Sequence, residues 1–270
     1  HKDRKVVRRF FHDVNDKEGI RSNSIYSLLV DDRGAVWVGH FQAGLDYSLY
    51  QNGLFRTYAY PPQFNSANLS IRSFVNRGPE KVIGSRDGLF YINEATGIVK
   101  SFVKPVLTSD LILTICFYEG EYYIGTYGGG MMVLNPQTLS LKYFTQGDTE
   151  LFQKGHIFCV KPDNRGNLWI GTSQGLFCYN GQTKQIKNFT STNSQLPEGN
   201  VYEVSFDSTG KGWIATETGM CIYDPASQSL RSNVFPEGFV HKDKVRTIYE
   251  DAEHNLYFIR EKGSLFTSTL

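Results

Sequence analysis

One pattern is written six times along the chain, so its fold must be assembled from a single short unit used in series. The clearest copies read VKPDNRGNLWIGTSQGLFCYNGQTKQIKNF from Val160 and VSFDSTGKGWIATETGMCIYDPASQSLRSNVF from Val204. Aligned on Gly171, the other copies place Gly39, Gly84, Gly125, Ala215 and Ile259 in the same column, at successive spacings of 45, 41, 46, 44 and 44 residues. Such spacings match a four-stranded propeller blade and are too long for a leucine-rich or ankyrin unit. The expected fold class is therefore all-β: a β-propeller of four-stranded antiparallel blades. The units run over 22–58, 69–102, 111–144, 156–189, 200–235 and 244–270, with 6–11 as the outer strand of a preceding or closing blade. Residues 1–270 form one propeller domain or a propeller fragment, closed by that first strand or belonging to a seven-bladed ring.

Each unit has the same internal grammar. Alternation around Ile157 and Val160 gives a strand with one apolar face, strand A. Asp163 to Gly166 follows as a turn, repeated at Asp31 to Gly34 and Asp207 to Gly210. Asp at its start accepts backbone N–H bonds and Gly at its end tolerates positive φ, so this Asp reads as a turn cap and not a catalytic acid. Strand B carries a ring column, Trp37, Val82, Tyr123, Trp169, Trp213 and Tyr257, expected to pack between neighbouring sheets. The small residue two places later lets adjacent backbones approach. Gly44, Gly88, Gly130, Gly175 and Gly219 open strand C, and strand D ends at Tyr58, Phe102, Phe144, Phe189 and Phe235.

Composition narrows the function classes. A formal net charge of +1 with 20% charged residues gives no overall pull toward nucleic acid or an anionic membrane. The longest uncharged apolar stretch, Leu111 to Tyr118, is far short of the roughly 20 residues that span a bilayer. The four cysteines, Cys116, Cys159, Cys178 and Cys221, have no CxxC spacing and fall at different places in the repeat, which predicts unpaired thiols. None of His1, His12, His40, His156, His241 and His254 sits in a metal-binding motif, so no metal or cofactor is expected.

The pattern D-x-x-G-x-[LV]-W-[IV]-G-T-x-x-G-L resembles the repeats of the two-component regulator propeller family. It is carried by DDRGAVWVGHFQAGLDY, DNRGNLWIGTSQGLFCY and DSTGKGWIATETGMCIY, with weaker versions in EKVIGSRDGLFYI, EYYIGTYGGGMMVL and EHNLYFIREKGSLF. The resemblance implies the periplasmic or extracellular sensor region of a bacterial hybrid histidine kinase, commonly two seven-bladed propellers followed by a small β-sandwich. It implies glycan fragments as ligands, and a neighbouring propeller or sandwich domain of the same receptor, or a second copy in a homodimer, as partners. No kinase motif is present in this chain, so kinase chemistry falls on none of its residues.

The loops between strands B and C differ from copy to copy while the strands beside them repeat, and loop rims of propellers are where ligands bind. They supply the expected ligand-binding residues His40, Phe41, Gln42, Arg86, Asp87, Tyr127, Gln174, Glu217 and Arg260. Rings for stacking, guanidinium groups for acids and amides for hydroxyls suit an oligosaccharide or other polar ligand. No catalytic residue is assigned, and the segment is expected to be a non-enzymatic ligand sensor. The alternatives are a propeller-type polysaccharide lyase or hydrolase, needing converging His and carboxylates, and a protein-interaction scaffold, needing an exposed apolar patch.

Overall fold

The computed structural model describes residues 10–31, 34–48, 54–58, 69–147, 149–232, 244–251, 254–260 and 265–269, with backbone alone at 149, 260 and 265–269. They form six antiparallel sheets, each a meander in chain order. The first is β1 (Ile25–Val30), β2 (Val36–His40), β3 (Leu45–Ser48) and β4 (Phe55–Thr57); the second is β5 (Ile71–Arg77), β6 (Glu80–Ser85), β7 (Leu89–Asn93) and β8 (Ile98–Phe102). The third is β9 (Ile112–Tyr118), β10 (Glu121–Thr126), β11 (Met131–Leu134) and β12 (Leu141–Tyr143). After a short helix α1 (Thr149–Lys154) come β13 (Ile157–Pro162), β14 (Asn167–Thr172), β15 (Gly175–Asn180) and β16 (Ile186–Phe189). The fifth sheet is β17 (Val201–Phe206), β18 (Gly212–Thr216), β19 (Gly219–Asp224) and β20 (Ser229–Ser232). The sixth has three strands among the described residues, β21 (Val245–Glu250), β22 (Asn255–Arg260) and β23 (Leu265–Thr269).

The all-β reading and the strand assignments are borne out. Of the strand expected over 6–11, residues 6–9 lie outside the described residues; Phe10 and Phe11 are irregular, Phe10 meeting Phe55 edge-on at 5.0 Å. Phe235 also lies outside. The chain divides into two compact units, His1–Val103 with Asp110–Ile112, and Lys104–Ser109 with Leu113–Leu270. The first holds sheets one and two, the second sheets three to six apart from Ile112.

The repeated Asp does two jobs. In the fourth sheet Asp163 Oδ1 accepts the backbone N–H groups of Arg165 (2.8 Å) and Asn167 (2.9 Å), closing the turn as expected. Its other oxygen accepts the indole N–H of Trp169 at 3.0 Å. The same pair joins Asp31 to Trp37 at 3.0 Å and Asp207 to Trp213 at 2.8 Å, and Asp251 accepts the Tyr257 hydroxyl at 2.9 Å. The A–B turn thus fixes the ring on strand B, and the ring packs against the next sheet. Trp169 is 1% exposed and lies 5.9 Å from Phe206 and 4.5 Å from Tyr223 of the fifth sheet. In the first unit Trp37 meets Phe74 of the second sheet at 5.0 Å.

The small column is explained by close approach. A Cβ on Gly171 would come within 2.8 Å of the Val201 carbonyl on the next sheet and 2.5 Å of Cys159 Sγ; one on Gly125 would come within 2.7 Å of the Ile157 side chain. All four cysteines are free thiols, and burial pushes Cys116 and Cys178 up to about 12, keeping both protonated near neutrality.

The helix α1 was not legible as a repeat element. Leu151 and Phe152 are buried, and Phe152 meets Phe144 at 5.0 Å and Phe177 at 5.4 Å, so the helix plugs the gap between the third and fourth sheets. A Cβ on Gly130, where φ is +71°, would overlap the Phe152 carbonyl at 2.0 Å. Only glycine fits there.

Two measurements check this. Thermal or denaturant unfolding of Trp169→Ala is expected to show a loss of about 3–5 kcal/mol, and Asp163→Ala about 1–3 kcal/mol, because the first opens a cavity and the second leaves an indole N–H unpaired. Acidification provides the second. Burial pushes Asp207 up, but hydrogen bonds from Thr209, Trp213 and Lys211 outweigh it and hold its carboxyl below the ordinary 3.8. A carboxyl lowered in the folded state stabilises the fold above its unfolded value, and that contribution disappears as pH falls through the folded value. The wild-type melting temperature should therefore drop more steeply than that of Asp207→Asn below about pH 4.

Candidate functional site

The B–C loops are built alike. Thr126, Thr172 and Thr216 each end a strand B and donate a hydroxyl to the carbonyl of the Gly that opens strand C, at 2.9 Å in all three; Ser85 does so at 3.1 Å. The next residue bonds back to the entrance of strand A: Phe41 N–H to Ser24, Arg86 N–H to Ser70, Ser173 N–H to His156 and Glu217 N–H to Asn200, at 2.9 to 3.2 Å. The loop backbone is thereby fixed and its side chains are released to vary.

Gln42, Arg86, Asp87, Tyr127 and Gln174 are exposed at this end of their sheets, and Phe41 and Glu217 are half-buried. The side chain of Arg260 lies outside the described residues. His40 is placed differently from a rim group: it is fully buried at the end of β2, and its Nε2 lies 2.8 Å from Asp46 Oδ2. Asp46 also accepts the Arg21 backbone N–H at 2.8 Å and the Thr57 hydroxyl at 3.2 Å. His40 occupies the Thr column, and its longer ring reaches across to strand C where the hydroxyl would turn back to glycine. The pair forms the inner support of the first unit's loop end, where an open cleft of about 470 Å³ lies among His12, Lys17, Arg21 and Gln42.

Residues absent from the sequence-based list stand beside these loops. In five sheets the pairing of strands A and B slips by one residue near the start of strand A, between Ile25 and Ser27, Ile71 and Ser73, Ile157 and Cys159, Val201 and Glu203, and Val245 and Thr247. Each slip is a β-bulge, which leaves one residue outside the ladder and re-aims its side chain. The bulged residues are Tyr26, Arg72, Phe158, Tyr202 and Arg246. None of the five is fully buried; Tyr26 and Arg72 lie together in the first unit, and Phe158, Tyr202 and Arg246 in the second.

In the first unit Tyr26 meets Phe41 at 5.2 Å, and the Arg72 guanidinium lies 4.8 Å from the Tyr26 ring centre. In the second unit Phe158 meets Tyr202 at 5.1 Å, and the Arg246 guanidinium and Lys244 ammonium lie 4.4 and 5.1 Å from the Tyr202 ring centre. His156, just before the bulge, stacks on Tyr127 at 4.0 Å, and Lys244 also approaches Glu217 at 3.7 Å. The structure therefore joins Tyr127 and Glu217 to strand-A residues of following sheets. The available signal was the residue after the first apolar position of strand A, which is Tyr, Arg, Leu113, Phe, Tyr and Arg in successive copies.

The described residues hold no cluster of His, Cys, Asp and Glu able to bind a metal, and no helix long and apolar enough to cross a membrane. His40→Ala is expected to destabilise the chain by about 1.5–3 kcal/mol in denaturant unfolding, since it strips a buried carboxylate of one donor. His40→Thr should not restore it, because the hydroxyl cannot reach Asp46.

With the geometry in place, the likenesses to known proteins are consistent with it. The family described as two component regulator propeller matches residues 19–42 and 152–174, each containing a strand-A bulge. The extracellular domain of the hybrid two component system BT3049 from B. thetaiotaomicron superposes with a TM-score of 0.75 at 23% identity, covering 96% of this chain and 35% of that one. That of BT4673 from the same organism gives 0.65 at 17% identity, covering 96% and 39%. The chain thus spans little more than a third of either. Virginiamycin B lyase from Staphylococcus aureus gives 0.67 at 13% identity, covering 92% and 84%. No curated protein matches. The chain has the fold of a β-propeller array, and two of its segments match the two component regulator propeller family.

Proposed function

We propose that the chain is the ligand-recognition part of an exported two-component receptor and works by binding a polar, ring-bearing ligand, an oligosaccharide foremost, at the B–C loop end of its sheets. One observation carries this reading: in the sheets that hold the turn aspartate, the two ends are under opposite constraints. At the A–B turn end the same Asp caps the same turn and holds the same ring. At the other end fixed backbone presents Tyr26 and Phe41 in the first unit, and Tyr127, Phe158 and Tyr202 in the second, beside amides, carboxylates and cations, groups that stack sugar rings and meet hydroxyls. The two-component propeller repeats and the extracellular domains of similar fold support the sensor role and the exported location.

Signalling then follows from differential binding, with the ligand favouring one arrangement of this segment against a neighbouring propeller, a sandwich domain or a second copy. No chemistry on the ligand is part of the role. Glu217 is engaged by Lys244 and the Asn200 N–H, and the buried His40 by Asp46.

Calorimetry against a panel of oligosaccharides tests this. Tyr127→Ala and Phe158→Ala should each weaken binding of the panel member recognised by about 1–3 kcal/mol through lost stacking. Their unfolding free energies should stay within about 0.5 kcal/mol for the exposed Tyr127. Unchanged binding in both variants would remove the loop end as the site, and turnover of any panel member would replace the sensor by a lyase or hydrolase.

A further inference from the structure

The bulge positions of strand A repeat one arrangement in the two units, and it points to the charge of the ligand. Arg72 lies over Tyr26, and Arg246 lies over Tyr202. In both cases the arginine is the bulged residue of one sheet and the tyrosine the bulged residue of the sheet before it. Two independent occurrences, on differing loop sequences, argue for a built feature over a chance contact. A guanidinium within cation–π distance of an aromatic ring is a planar fork of several N–H donors, the chemistry that suits a carboxylate or sulfate.

Two details sharpen this. Arg72 Nε is buried and has no acceptor among the described residues. A buried donor without an acceptor is costly, which marks this guanidinium as one whose place is not explained by the core. In the second unit the Tyr202 ring has Lys244 as well as Arg246 within cation–π distance, with Glu217 3.7 Å from Lys244. Beside them Phe158, 5.1 Å from Tyr202, offers an apolar face of the size of a sugar ring.

We propose that each arginine-on-tyrosine stack is a seat for one acidic group of the ligand, so that the ligand is a uronic or sulfated oligosaccharide and not a neutral one. Its ring lies on the neighbouring aromatic face while its acid group accepts from the guanidinium edge. The inference rests on the proposed sensor function and adds the charge of what is sensed.

The test pairs each acid with its own uncharged form: short oligouronates beside their methyl esters, and sulfated oligosaccharides beside the desulfated sugars. Binding to the whole chain is measured by calorimetry at two salt concentrations. At least one acid should bind, its uncharged form at least about tenfold more weakly, and added salt should weaken the acid alone. Arg72→Gln or Arg246→Gln should reduce affinity for that acid by about 10- to 100-fold, the loss expected for charge-assisted hydrogen bonds. Arg246→Lys should fall between, because it keeps the charge and loses the planar fork. Arg165→Gln, at the A–B turn of the fourth sheet, should bind as the wild type, and thermal melts should show all four variants folded. Equal binding of the uncharged form, or arginine variants that bind normally, would overturn the acid seats and leave the sensor reading standing. If no acidic or neutral oligosaccharide binds, both fall.

Discussion

The hydrogen bond from the strand-B ring to the turn aspartate is the contact on which the rest of the structure depends. It links three levels at once: the A–B hairpin, whose backbone N–H groups the same carboxylate caps; the orientation of the ring; and the packing of that ring on the next sheet. Asp163, Trp169 and the pair Phe206 and Tyr223 show the whole sequence in the fourth and fifth sheets. Where the copy lacks the pair, other hydrogen bonds cross between sheets. Asn76 of the second sheet donates to Asp31 of the first at 2.8 Å, and Tyr118 of the third donates to the Gly166 carbonyl of the fourth at 2.7 Å.

Anchoring one end of each sheet frees the other. The Thr-to-Gly hydroxyl bonds and the loop-to-strand-A bonds use only backbone and one small side chain, so the loop residues carry no share of the core. The bulges extend the same freedom onto strand A. A residue outside the ladder does not keep the pairing in register, so Tyr26, Arg72, Phe158, Tyr202 and Arg246 differ while Ile25, Ile71, Ile157, Val201 and Val245 beside them stay apolar. Sequence freedom and ladder pairing are thus separated by a single residue in these five sheets.

Most of the fold was legible because its signals are short-range and repeated. The turn Asp, the ring and the small residue lie within nine positions of one another in the good copies, from Asp163 to Gly171. The second role of the Asp was missed, since the turn alone accounts for its chemistry and the indole N–H enters only when strand B is folded back. The candidate site was legible in part. Tyr127, Arg86 and Gln174 are exposed where the loops predicted them, but the inward turn of His40 depends on Asp46 across the strand pair, which no spacing in the repeat announces. The bulged residues were hidden by periodicity itself: read as strict alternation, position 202 belongs to a face of the sheet, and only the register slip between Val201 and Glu203 takes it out. Helix α1 lies in the connection that buries Leu151 and Phe152; Leu107 and Leu196 are buried in other connections between sheets without a helix.

The separation of a structural end from a recognition end is tested most directly by a crystal structure of the chain grown with a bound oligouronate. Density for a sugar ring is expected on Phe158 and Tyr202 or on Tyr26 and Phe41, with its carboxylate within hydrogen-bonding distance of Arg246 or Arg72. A ligand seated instead among the A–B turns, against Asp163, Asp207 or their neighbours, would contradict it.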